Sequence, residues 1–188
     1  VLAAILLLIT PGQRAKGYIT YLAALVTGVV SVVLLALYAQ AGKVLMPFPA
    51  EPAGQIMLVL GTLVALYLVY LSVKQHQWIP VLLLVVLTGM MLYTETMHTE
   101  ALAIAENLFI DQFTLVMTVI IGVIGGLICV YAVPYMAQYH VRHTDIRDRR
   151  GFFFFLLFIF LSAMFGLVFA NNLRWVFFFW EITTLCSF

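Results

Sequence analysis

Long apolar runs broken by short polar stretches constrain this chain more than any other feature. Tyr18 to Ala39, Ile56 to Val73, Leu108 to Met136 and Phe152 to Ala170 carry almost no charge. A run of about 20 such residues spans the hydrocarbon core of a bilayer as an α-helix, which satisfies its own backbone hydrogen bonds. The expected fold class is therefore an all-α membrane protein, a polytopic transmembrane helix bundle. Composition points the same way: 65% of residues are hydrophobic and 9% charged, against roughly a quarter charged in soluble domains. Such a chain cannot clothe its surface in polar groups, so lipid is its solvent. A net charge of +1 argues against nucleic acid as a partner.

Taken in order, Val1 to Ile9 is a short apolar run, and Pro11 to Gly17 reads as a basic turn with helix breakers at both ends. After the Tyr18–Ala39 span, Gln40 to Gln55 holds Pro47, Pro49 and Pro52 and reads as a loop. Trp78 to Tyr93 forms a further span, with Pro80 in its first turn, where a missing amide costs nothing. Thr94 to Asn107 is polar and acidic, and Gln138 to Gly151 polar and basic. Pro134 is expected to end or kink the long helix in its last turn. Asn171-Asn172 makes a tight turn before a last helix from Leu173.

The total is about seven segments by their hydrophobic runs. The first and last are expected to be cut short, because the chain opens on Val1 inside one run and stops at Phe188 inside another. The expected division is 1–107, with about four helices, and 108–188.

Charge orders these segments. With Arg14 and Lys16 on the cytoplasmic side, alternation places Lys74, Arg142, Arg147, Arg149 and Arg150 there as well. Lys43, Arg174 and the acidic 95–111 region fall on the other side. Basic loops inside are what membrane insertion favours.

Glu181 is the residue that calls for a function. It stands in a run of aromatic and aliphatic residues, Leu173 to Phe188, with no basic side chain after Arg174. Placing a charge at such depth costs roughly 2.5 kcal/mol or more, so an intramembrane carboxylate marks an ion or proton pathway. From Arg174 it lies about 10 Å along the helix axis. Its helical neighbours include Phe177, Phe178, Thr184 and Leu185. Thr184 is a candidate hydrogen-bond donor to the carboxylate, and the adjacent Trp180 a candidate neighbour. The competing reading is a neutral glutamate bridging two helices.

Other groups carry less. Asp111 is read first as a helix N-cap and second as a point where protons come in. Gly122 to Gly126 contains a GxxxG spacing, a device for close helix approach. His140, His143 and Asp145, and His98 with Glu95 and Glu100, read as solvated loops rather than metal sites. The mixed-charge stretch from Asp145 to Arg150 suits a soluble partner or lipid headgroups. Cys129 and Cys186 lie in apolar runs without CxxC spacing and read as buried thiols. No nucleophile triad, haem motif or nucleotide motif is present.

A set of short segments in fixed order resembles a known family. Leu108-Phe109-Ile110-Asp111-Gln112-Phe113-Thr114-Leu115 comes first, then Ile121-Gly122, Tyr131 and Tyr135-Met136. Phe152-Phe153, Ser162-Ala163-Met164 and Ala170-Asn171-Asn172-Leu173 follow, and then Phe179-Trp180-Glu181 and Leu185-Cys186-Ser187-Phe188. Together they resemble the start of the antiporter-like subunits of respiratory complex I. The same superfamily takes in Mrp-type sodium/proton antiporters and membrane-bound energy-converting hydrogenases.

The resemblance implies an integral membrane subunit of a bacterial, archaeal or organelle inner membrane that translocates protons, or sodium ions, within a multi-subunit redox complex. It implies that Glu181 is the glutamate of the family's Trp-Glu pair, which relays protons by pairing with a lysine on a later helix. Iron–sulfur clusters or a nickel–iron centre would then sit in partner subunits, with none in this chain. The alternative is an Mrp-type antiporter without a redox partner. One departure stands out: about four helices precede the Asp111 helix where the family has two, and Val1 to Ala39 reads as the added pair.

Overall fold

The structure, a computed structural model, describes residues 1–10, 12–40, 43–46, 50–97, 108–142 and 148–187. Among these residues are seven helices and two short strands: α1 (Leu2–Ile9), α2 (Gln13–Tyr38), β1 (Val44–Met46), α3 (Ala50–Lys74), α4 (Trp78–Met97), β2 (Leu108–Ile110), α5 (Gln112–Arg142), α6 (Arg150–Phe169) and α7 (Leu173–Ser187). Four stretches are long and apolar enough to cross a bilayer: Gln13–Tyr38, Gly54–Lys74, Gln112–Arg142 and Arg150–Phe169. The chain is an integral membrane protein built as a helix bundle. Its acidic loop residues Glu100 and Glu106 and the basic-loop residues His143, Asp145 and Arg147, together with His98, lie outside the described residues. Glu95 falls within α4.

Several helices are longer than the apolar runs predict. Gln13, Arg14, Ala15 and Lys16 are good helix formers, so α2 starts there, with extended Gly12 as its N-cap. Gly17 sits inside the helix, where a Cβ would lie 3.6 Å from Val133 of α5. Helix α3 begins at Ala50 and takes Pro52 into its first turn, where proline is tolerated. It ends in a Schellman motif: Gln77 N–H bonds to Ser72 O, His76 N–H to Val73 O, and His76 takes φ 56°. Helix α4 runs on past Tyr93 to Met97.

Pro134 does not end α5, which continues to Arg142. One proline removes one rung of the ladder, and the turns beyond it are held in other ways. Tyr131, Tyr135 and Tyr139 stack at one-turn spacing, with ring centroids 6.1 and 6.5 Å apart. His140 Nδ1 lies 3.0 Å from Met136 O. The same helix contains a π-helical turn at Ile120–Ile124.

The described chain forms two compact units. One joins 1–45 to 108–187, and the other comprises 46–107. In the first unit α1 and α2 stand with α5, α6 and α7. Strands β1 and β2 pair with each other. Within that second unit, α3 and α4 pack on each other.

In the larger unit α2 runs antiparallel to α5. Gly17 faces Val133 at one end, Ala24 faces Gly126 further along, and Ser31 faces Gly122. The glycines let the backbones close in: a Cβ at Gly126 would lie 3.1 Å from Ala24 O. Gly125, one residue over, leaves room for Leu161 of α6. Helix α1 lies on α6, and Leu7, Ala24, Ile121, Cys129, Phe154, Phe158 and Leu161 form the buried core between these helices.

Polar contacts close both ends of this unit. At the basic end Asp148 ties three helices together. It accepts from Arg150 Nε (3.0 Å), Arg150 Nη2 (2.8 Å), the Arg150 amide (3.0 Å) and Gln13 Nε2 (2.9 Å), and His140 Nε2 stands 3.6 Å away. At the other end Leu108 bridges to Ala170 in antiparallel fashion, and Lys43 Nζ sits 5.6 Å above the Phe109 ring. This gathers the start of α5 and the α6–α7 corner at one end.

Candidate functional site

Helix α7 carries the candidate. It starts from the α6–α7 corner, where buried Asn172 acts as the cap: its Oδ1 accepts from the Arg174 amide at 3.0 Å, and its carbonyl accepts from Val176 at 3.0 Å. From there α7 packs closely along α6. Gly166 of α6 makes this possible, since a Cβ at that position would overlap the Phe179 ring.

Burial divides α7 into two faces. Trp175 and Phe178 are buried, whereas Leu173, Trp180, Thr184 and Ser187 are exposed. Glu181 follows Phe178 by three residues and lies at the border of the two faces, half-buried. It makes no hydrogen bond or ion pair among the described residues. Glu181 therefore stands at an open flank of the bundle, on a helix whose inner side is fixed by aromatic packing.

The two neighbours expected to serve it are placed differently. Thr184 Oγ1 donates to the Trp180 carbonyl at 3.1 Å, and Thr183 Oγ1 to the same oxygen at 2.7 Å. The Thr184 hydroxyl is thus committed to its own backbone. Trp180 is 62% exposed and turns away from the packed face.

Asp111 caps α5. Its backbone is extended, and Oδ1 accepts from the Thr114 amide at 2.7 Å. That bond, helped by the positive charge of Lys43, holds its carboxyl below the usual aspartate range. Asp111 and the α6–α7 corner share one end of the unit, and Glu181 lies deeper along α7; no hydrogen bond joins the two carboxylates. Sequence reasoning passed over Thr118, whose hydroxyl is fully buried in α5 without a hydrogen-bond partner among the described residues. A hydroxyl in an apolar run was its signal. It also missed the Asp148 clamp, which joins residues far apart in sequence.

No group of three metal-ligating side chains occurs among the described residues. Cys129 is buried and Cys186 half-buried, both as free thiols.

The fold and these residues define a class: a polytopic α-helical membrane protein with one carboxylate held inside an aromatic helix. Residues 97–144 match the N-terminus family of chain 5 of NADH-ubiquinone oxidoreductase (complex I). The chain is 38% identical over 82 residues to chloroplastic NAD(P)H-quinone oxidoreductase subunit 5 of Draba nemorosa, an alignment covering 43% of this chain and 10% of that protein. It is 29% identical over 82 residues to Na(+)/H(+) antiporter subunit A1 of Staphylococcus haemolyticus (strain JCSC1435), covering 44% of this chain and 9% of that one. The chain thus aligns with a tenth or less of the length of these relatives. No solved structure matches it. What the comparisons share is a likeness of this stretch to the N-terminal part of complex I chain 5, to a quinone oxidoreductase subunit 5 and to a Na(+)/H(+) antiporter subunit.

Proposed function

We propose that this chain is part of a proton-translocating membrane subunit of a complex I-related, redox-driven ion pump, with Glu181 as its relay carboxylate. The observation that carries the reading is the setting of Glu181: half-buried on the aromatic helix α7, at the border of a packed aromatic face, without a partner among the described residues. A carboxylate so placed changes charge readily when a cation approaches its open flank and withdraws. The lysines of the chain, Lys16, Lys43 and Lys74, all lie at or beyond helix ends, so the cation comes from another segment or subunit. The partners are other membrane subunits, and the redox centres, iron–sulfur or nickel–iron, belong to them.

Replacing Glu181 tests this directly. Glu181→Gln keeps the size and polarity of the side chain but cannot be ionised. In the assembled complex it should abolish redox-driven proton uptake into vesicles while subunit composition is unchanged; full pumping by that variant would refute the relay. The similarity to a sodium/proton antiporter subunit keeps a second reading in view, an Mrp-type antiporter without a redox partner. Co-purifying subunits separate the two: redox subunits favour the pump, and small hydrophobic antiporter subunits the antiporter.

A further inference from the structure

We propose that the basic end of the larger unit holds a binding site for the phosphate of an anionic phospholipid. A cavity of about 440 Å³ opens there, lined by Leu8, Lys16, Asp148, Arg149, Gly151 and Phe152.

Its charge is unbalanced. Asp148 is the only acidic lining residue, and its two oxygens are already engaged by the Arg150 side chain and amide and by Gln13. Lys16 and Arg149, by contrast, make no ion pair among the described residues. Among the described residues, two cations therefore face the cavity without a counter-charge of their own.

The backbone adds to this. The first hydrogen bond of α6 runs from the Phe153 amide to Arg149 O; Asp148 takes up the Arg150 amide, and the Arg149 side chain makes no cap bond. The Gly151 and Phe152 amides thus have no acceptor within the helix, and they stand at its positive end. Gly151 also lets Lys16 lie across this first turn: a Cβ there would be 2.5 Å from Nζ. An ammonium, a guanidinium and helix amides converging on one cavity suit a phosphate ester.

The surroundings identify a lipid rather than a free ion. Leu8 and Phe152 are each 52% exposed beside these cations; Leu8 belongs to the apolar helix α1, and Phe152 to the spanning helix α6. A headgroup phosphate fits the cationic part while its glycerol and acyl chains lie along Leu8 and Phe152. The site stands at the end of a membrane-spanning helix, where headgroups are found, and basic pockets of this kind recognise them.

The test uses the protein in detergent micelles, with bound lipid counted by native mass spectrometry. Phosphatidylglycerol should be retained in preference to phosphatidylcholine. Lys16→Gln and Arg149→Gln should each weaken retention about fivefold and together roughly thirtyfold. The charge-preserving pair Lys16→Arg and Arg149→Lys should retain lipid, as should the remote control Lys74→Gln. Equal retention of the two lipids, or undiminished phosphatidylglycerol in the double glutamine variant, overturns the site. Displacement of phosphatidylglycerol by millimolar inorganic phosphate marks a free-anion site and overturns the lipid assignment.

Discussion

Gly122 of α5 lies so close to Ser31 of α2 that a methyl group at position 122 would overlap the serine side chain. The serine itself is fully buried and donates to Thr27 O at 2.8 Å, and that same carbonyl would be 3.1 Å from the added carbon. Contact at this point sets how near the two helices come.

Gly122→Ala should therefore destabilise the bundle by about 1–3 kcal/mol, the usual cost of overpacking. Adding Ser31→Gly should restore a good part of the loss by making room on α2. Thermal unfolding in detergent measures both. No rescue in the double variant would show that the contact does not set the helix separation.

Asp111→Ala should cost about 1 kcal/mol through loss of the α5 cap, and Asp111→Asn much less. The acid dependence follows from the direction of its shift. The folded carboxyl titrates below the unfolded one, so its stabilisation is fully present above the unfolded value of about 3.9 and is lost as pH falls through the lower folded value. The gap between wild type and Asp111→Ala should close only under acid conditions. Unfolding followed from pH 7 down to about pH 2.5 reports this.

Asp148→Asn should loosen the basic end, where one carboxylate serves Gln13 of α2 and Arg150 of α6. The side chain is 42% exposed, so the expected loss is at most about 1 kcal/mol and shrinks with added salt. The Arg150 hydrogen bonds keep the Asp148 carboxyl well below the usual range, so its contribution should persist through mildly acidic pH. Chemical unfolding at low and high ionic strength checks the salt dependence.

Replacing 46–107 with a short Gly/Ser linker should leave the larger unit folded. The chain leaves it at β1 and returns at β2, and the two strands pair, so a short connection bridges them. Retained hydrogen-exchange protection at the Thr114 amide, which the Asp111 cap holds, is the readout. Loss of that protection would show that the larger unit depends on the excised helices.

Much of this molecule was legible in its sequence because helix formation in lipid is a local matter. Apolar runs of spanning length fold as helices whatever their neighbours do, and Asp111 caps its helix through a bond to a residue three positions away. Glu181 likewise showed itself as a carboxylate in an aromatic run. What the sequence left open depends on which faces meet. Gln13 and Asp148 are bonded across 135 positions. The α1–α2 pair, expected to be the addition before the 56–93 helices, packs in one unit with α5 to α7, because small residues on α2 and α5 fit each other in shape. The Thr184 hydroxyl turned to its own backbone, and Glu181 came to rest at a border rather than in a core. Hydrophobic period fixes that a helix exists and how deep its residues lie; only close packing, which depends on the matched shapes of distant segments, decides what each side chain touches.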